Sequence, residues 1–213
     1  MTDQTRMTEL DLLVGSIFTT RPEEDRELFE EEREWLSDIQ DLLREEGVEA
    51  DLLSRPGVEI WEGGIDHFMD LYHLRLIAAY LEQGRDIAPI LAPNFTPGDE
   101  PDELLAAIWE GQQPTRFAHL INHQAEGGYY LPIEFAEPIW LEFDEDMLDD
   151  GQDMQEPVVS FGSSVALQRE LAELEPLLQQ ANVAAKSAPY RCLTVLRDAA
   201  DQSVNNDLPI IIW

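Results

Sequence analysis

Four histidines and their neighbouring aspartates are the residues from which chemistry would first be expected. Asp66, His67, Asp70 and His73 lie in one segment of helical periodicity. On a helix Asp70 and His73 sit one turn apart, so a carboxylate and an imidazole can offer two ligands to one divalent ion. His119 and His123 have the i, i+4 separation that would place both on one metal if their segment were helical. The segment reads instead as a strand, where the two share a face but stand about 13 Å apart at about 3.3 Å per residue. Only one of them can then join the pair, which makes Asp70, His73 and His119 the candidate metal set and metal-assisted hydrolysis its chemistry. The plainer use of the same four residues is as exposed or hydrogen-bonded structural histidines, and the expectation is that His119 and His123 do not share an ion.

A second candidate is the acidic run Asp144, Glu145, Asp146, Asp149, Asp150 and Asp153, followed by Glu156. Carboxylates at this density invite calcium. An EF-hand register that uses Gly151 as its central glycine begins at Asp146 and requires oxygen ligands where Leu148 and Pro157 stand. The motif fails, so the run reads as a solvated loop whose carboxylates are candidates for weak binding only.

Other motifs are missing. The chain has no Walker-type phosphate loop, no G-x-S-x-G elbow, no H-E-x-x-H and no C-x-x-C, and no cofactor is expected. Gly63 and Gly64 are flanked by Glu62 and Asp66, which would repel a phosphate, so they read as a turn. Ser163 and Ser164 follow a glycine at a helix start, where capping explains them without a nucleophilic role. Glu134 and Glu137 near Tyr129 and Tyr130 read as polar residues at a strand end. Cys192 is the single cysteine, which excludes an internal disulfide and suits a reducing compartment.

The charge is the strongest feature. Forty-five acids against 13 Lys and Arg give a net charge of -32, which disfavours nucleic acid and anionic membranes as partners. Lys186 is the only lysine, a bias that fits a salty cytoplasm or a GC-rich genome equally well. The acids are clustered: residues 23 to 49 hold thirteen of them, and no Lys or Arg occurs from Phe117 through Gln168. Two function classes follow. One is a protein-binding module that offers an anionic surface to a basic protein partner, as toxin-neutralising proteins and nucleic-acid mimics do, an analogy at the level of composition. The alternative is the metal-assisted hydrolase built on the histidine and carboxylate cluster. With no basic, apolar leader and no apolar run near the roughly 20 residues of a membrane span, the expected location is cytoplasmic.

The elements that must position these residues are legible as periodicities. A helix is expected from Pro22 to Glu46, with Leu28, Trp35, Ile39, Leu42 and Leu43 as its buried stripe and Glu30, Glu31, Glu32, Glu34 and Glu45 on its solvated side. A second is expected from Ile65 to Gln83, and a short one from Asp102 to Glu110. Thr115 to His123 and Gly128 to Phe135 read as a hairpin, and Ile139 to Phe143 as a third strand. Val158 to Phe161 leads into a helix with Val165, Leu167, Leu171, Leu174 and Leu178 inside and Pro176 kinking or dividing it. A last helix spans Pro189 to Ser203, and Leu208 to Trp213 closes as a strand. The whole predicts an α+β fold in a single domain over residues 1–213, several helices packed on a small, mainly antiparallel sheet.

Overall fold

The computed structural model describes residues 9–92, 95, 101–124, 127–142 and 158–213. Its strands are β1 (Leu10–Gly15), β2 (Glu59–Ile65), β3 (Tyr129–Leu131), β4 (Ile139–Glu142), β5 (Val158–Ser163) and β6 (Ile210–Ile212). Its helices are α1 (Arg26–Glu45), α2 (Phe68–Glu82), α3 (Glu103–Trp109), α4 (Ala118–Ile121), α5 (Ser164–Gln180) and α6 (Ala188–Asn206). The strands form one sheet in the order β2-β1-β6-β3-β5-β4. Every pairing is antiparallel except β3 with β5, so the sheet is mixed and the fold is α+β.

Alternation along the strands divides the core between the two faces. Leu12, Val14, Tyr130, Ile210 and Ile212 join the leucines of α2, α5 and α6 in one apolar cluster. Leu13, Leu131, Leu141, Phe161 and Ile211 join Leu36, Ile39 and Leu43 of α1 in the other. The run of three isoleucines in β6 is buried on both sides, as an inner strand requires. No helix among the described residues is long and apolar enough to cross a membrane.

Several elements depart from the sequence expectation. In α1 the buried stripe is Leu36, Ile39 and Leu43, while Leu28 and Trp35 are 50% and 38% exposed. Phe18 decides this phase by stacking on Phe29 at 4.7 Å. The second helix begins at Phe68, because Ile65 ends the edge strand β2. Gly63 and Gly64 belong to that strand and not to a turn. The Trp61 ring lies over Gly63 so closely that an added Cβ would fall 2.3 Å from it. The Thr115–His123 strand and its hairpin do not form: residues 118 to 121 make the one-turn helix α4, buried throughout. Pro176 sits inside α5, which continues through it to Gln180.

Candidate functional site

The segment misread as a strand is held helical by a buried carboxylate. Glu170, on the inner face of α5, accepts the backbone N–H groups of His119 at 3.0 Å and Leu120 at 2.8 Å. Two N–H groups that a one-turn helix cannot satisfy for itself thus find both oxygens of one side chain. At the other end Trp109 Nε1 donates to the Ile121 carbonyl at 2.9 Å. Burial raises the Glu170 carboxyl to about 8, against the pull of the two N–H groups toward the ionised form.

His119 is therefore on a helical turn after all, while His123 lies two residues past the end of α4, and their rings have separate uses. His119 Nε2 donates to the Phe135 carbonyl at 3.0 Å, and its Nδ1 accepts the Ser163 N–H at 3.0 Å. His123 stacks on Tyr130 with ring centroids 3.9 Å apart. Its Nδ1 lies 2.9 Å from the Gln124 carbonyl, and its Nε2 lies 3.2 Å from the Ser160 hydroxyl and 3.0 Å from the Tyr129 carbonyl. Burial drives the His123 ring down to about 3, so it is neutral. A neutral imidazole has one N–H, so it donates either to the Gln124 carbonyl from Nδ1 or to the Tyr129 carbonyl from Nε2. Gly162 makes room for this stack: a Cβ there would stand 2.4 Å from Tyr130 and 2.9 Å from His123.

Asp70 and His73 do sit one turn apart on α2. Asp70 is buried, which raises its pKa, and burial lowers that of His73. The His73 ring packs on Phe95 at 5.0 Å and leaves Nε2 buried without a partner. Among the described residues no three His, Cys, Asp or Glu side chains gather as a metal would require, so Asp70, His73 and His119 are not brought round one point. The weak-binding candidates Asp144, Glu145, Asp146, Asp149, Asp150 and Asp153 lie outside the described residues. Ser163 caps α5 by accepting the Ala166 N–H, and Ser164 donates to the Leu131 carbonyl. Glu134 pairs with Arg169 at 2.8 Å. Cys192 is buried with its thiol pushed up, hence unreactive.

Arg75 escapes a reading of motifs. It stands on the buried side of α2 with Leu71, Leu74 and Ala78, only 4% exposed. The sole signal in the sequence is its place, three residues after Tyr72 within the apolar stripe. Burial lowers its pKa, and the ionisable groups that act on it among the described residues are Tyr130 and Cys192, with no carboxylate. A buried cation left unpaired in this way is destabilising by several kcal/mol.

The outer side of α1 is where the charge is organised. At 3.6 residues per turn, Glu27, Glu30, Glu31, Glu34, Asp38, Asp41 and Glu45 fall within an arc of about 100°, opposite Leu36, Ile39 and Leu43. Arg33 pairs with Glu30 at 3.1 Å, and Arg44 pairs with Asp41 and with Glu49. Glu27, Glu31, Glu34, Asp38 and Glu45 are exposed and make no ion pair among the described residues. Glu32 is the exception among the expected solvated acids. Although its partial burial acts to raise its pKa, the N–H groups of Thr19 and Thr20, at 2.8 and 2.9 Å, hold it below the usual carboxylate range. It ties α1 to the loop that joins it to β1. Leu28, Trp35 and Leu42 follow one another at seven-residue intervals along one flank of the arc, two of them exposed.

A family model described as "Putative DNA-mimic protein" matches residues 8–212. The chain belongs to this DNA-mimic family. No curated protein and no solved structure matches it. Membership agrees with the anionic binding module expected from composition and corrects the partner expected there. A partner defined only by being basic gives way to a DNA-binding protein, the class that mimicry of DNA implies.

Proposed function

We propose that this chain is a DNA mimic that occupies the DNA-binding surface of a DNA-binding protein, and that the outer face of α1 is the part that stands in for DNA. The observation that carries this reading is the spacing of the carboxylates. From Glu27 to Glu45 the helix rises about 27 Å, so its seven outer acids stand about 4.5 Å apart along the axis, of the order of the 3.4 Å per phosphate along one strand of B-DNA, and the five without an arginine partner about 7 Å apart. The row is also pre-organised. α1 is fixed by Glu32 at its first turns and by Leu36, Ile39 and Leu43 beneath, so its charges need little ordering on binding. The flanking Leu28, Trp35 and Leu42 have no counterpart on a phosphate backbone. An exposed tryptophan beside the charges supplies the desolvated anchor on which interface affinity commonly rests.

Binding follows from these parts. The anionic field speeds the encounter, and the carboxylate row takes the positions that phosphates would take. The apolar flank then slows release. A chain that competes with DNA works in the compartment that holds the DNA, and a cytoplasmic location is part of the proposal.

The test is capture of host proteins by the immobilised chain, with elution by duplex DNA, beside a variant carrying Glu27→Gln, Glu31→Gln, Glu34→Gln, Asp38→Asn and Glu45→Gln, and a second carrying Trp35→Ala. The expected result is retention of proteins that bind duplex DNA, their release by added duplex, and their loss from both variants. Retained proteins that have no affinity for DNA, or equal retention by the carboxylate variant, would overturn the proposal.

A further inference from the structure

A cleft of about 490 Å3 opens between α2, α3 and β4, on the opposite side of the sheet from α1. Its size is that of a small-molecule site. Its lining combines four things that do not satisfy one another. Arg75 presents a guanidinium that is buried and has no carboxylate partner among the described residues, and its Nε makes no hydrogen bond there. An Nη donates to the Gln124 carbonyl, a long contact at 3.4 Å, and the Tyr130 hydroxyl is its neutral hydrogen-bond neighbour. Asn122 brings a buried Oδ1 that accepts nothing. Glu137 adds an exposed carboxylate at the mouth. Trp109, Trp140, Ile108 and Pro138 supply apolar walls, and both tryptophans are exposed. Buried polar groups in folded proteins are paired nearly without exception, so a donor and an acceptor both left open on one cleft specify a missing complement.

We infer that this cleft binds a small carboxylate with an amino group beside it and an apolar body, the chemistry of a large apolar α-amino acid. The carboxylate meets Arg75, whose planar fork matches it. The ammonium donates to Asn122 Oδ1 and faces Glu137. The side chain lies against Trp109 and Trp140, where an aromatic ring packs best. A doubly charged phosphate fits less well, because Glu137 and the net charge of -32 oppose it while a single guanidinium favours it. None of these residues lies on α1, so the inference stands apart from the proposed mimicry.

The test follows tryptophan fluorescence of the full chain, checked by calorimetry, with four probes: L-phenylalanine, L-phenylalaninamide, acetate and inorganic phosphate. L-Phenylalanine should saturate with a Kd on the order of 0.1 mM, and the amide, which lacks the carboxylate, should bind at least about tenfold more weakly. Arg75→Met should lose the response, with its circular dichroism spectrum as the check on folding. Trp140→Ala, at an exposed position, gives a second variant that keeps the test decisive, and it too should bind about tenfold more weakly. The inference falls if no probe saturates, if the amide binds as well as the amino acid, if phosphate is preferred, or if a folded Arg75→Met chain binds unchanged.

Discussion

Glu170→Gln should change the sign of the pH dependence of stability. Burial raises the Glu170 carboxyl from its ordinary 4.5 to about 8 in the folded chain. The folded state therefore holds this proton more tightly than the unfolded state does. The resulting stability is fully present below about pH 4.5 and is lost as pH rises through about 8, at about 1.4 kcal/mol per pH unit and about 5 kcal/mol in all. His123 runs the other way. Its ring falls from 6.5 to about 3, so its contribution is present above pH 6.5 and is lost toward pH 3. Between about pH 4.5 and 6.5 the two slopes cancel, which leaves a plateau, with arms of about 2 kcal/mol falling away up to pH 8 and down to pH 3. Glutamine at position 170 removes the alkaline arm and exposes the slope of His123. The variant should gain about 3 kcal/mol from pH 4.5 to 6.5 and stay flat above, apart from the gentler slope of the surface acids. It should also lie about 1 to 3 kcal/mol below the parent on the plateau, because the amide can accept only one of the two N–H groups of His119 and Leu120. Urea unfolding at constant ionic strength across pH 3.5 to 8.5 measures all of this. An unchanged alkaline arm in the variant would refute the reasoning, as would a parent chain whose stability is flat between pH 6.5 and 8.

Two further outcomes are expected. Raising NaCl from about 0.1 M to 1 M shortens the Debye length from about 10 Å to about 3 Å and relieves the repulsion among exposed carboxylates, so the melting temperature should rise; a flat or falling profile in calorimetry would show that the arginines already neutralise the acids that matter. Leu36→Ala, in the buried stripe of α1, should cost about 2 to 5 kcal/mol in urea unfolding, whereas Leu28→Ala should change stability by less than about 0.5 kcal/mol.

The elements with long periodicities were legible in the sequence. α6 stands close to the expected bounds, Leu167, Leu171, Leu174 and Leu178 of the stripe expected in α5 are buried, Ser163 caps that helix, and residues 210 to 212 form a strand. Short elements were not. α4 has one turn, too brief to show a period, and its conformation is set from fifty residues away by Glu170. The phase of α1 was set by Phe18, outside the helix, which is why Trp35 and Leu28 were placed inside when they lie out. β2 was hidden because Gly63 and Gly64 read as a turn until Trp61 is seen to cover one of them. The charge of α1 was visible, but its arrangement as a row depended on that phase. Arg75 carried no motif at all, and only the burial of α2 shows its guanidinium to lack a carboxylate partner among the described residues.

The placement of β6 has a consequence for synthesis. β1 is made first, but the strand that pairs with its inner edge lies at residues 210 to 212, and β6 also bridges β1 to β3. At about 5 to 20 residues per second the ribosome needs about 10 to 40 s to travel between them, and until then the sheet remains in two unjoined parts. A chain cut short of residue 210 would lack that join and leave two strand edges bare, which marks it for proteolysis and clumping. Joining of the two parts of the sheet thus waits on β6.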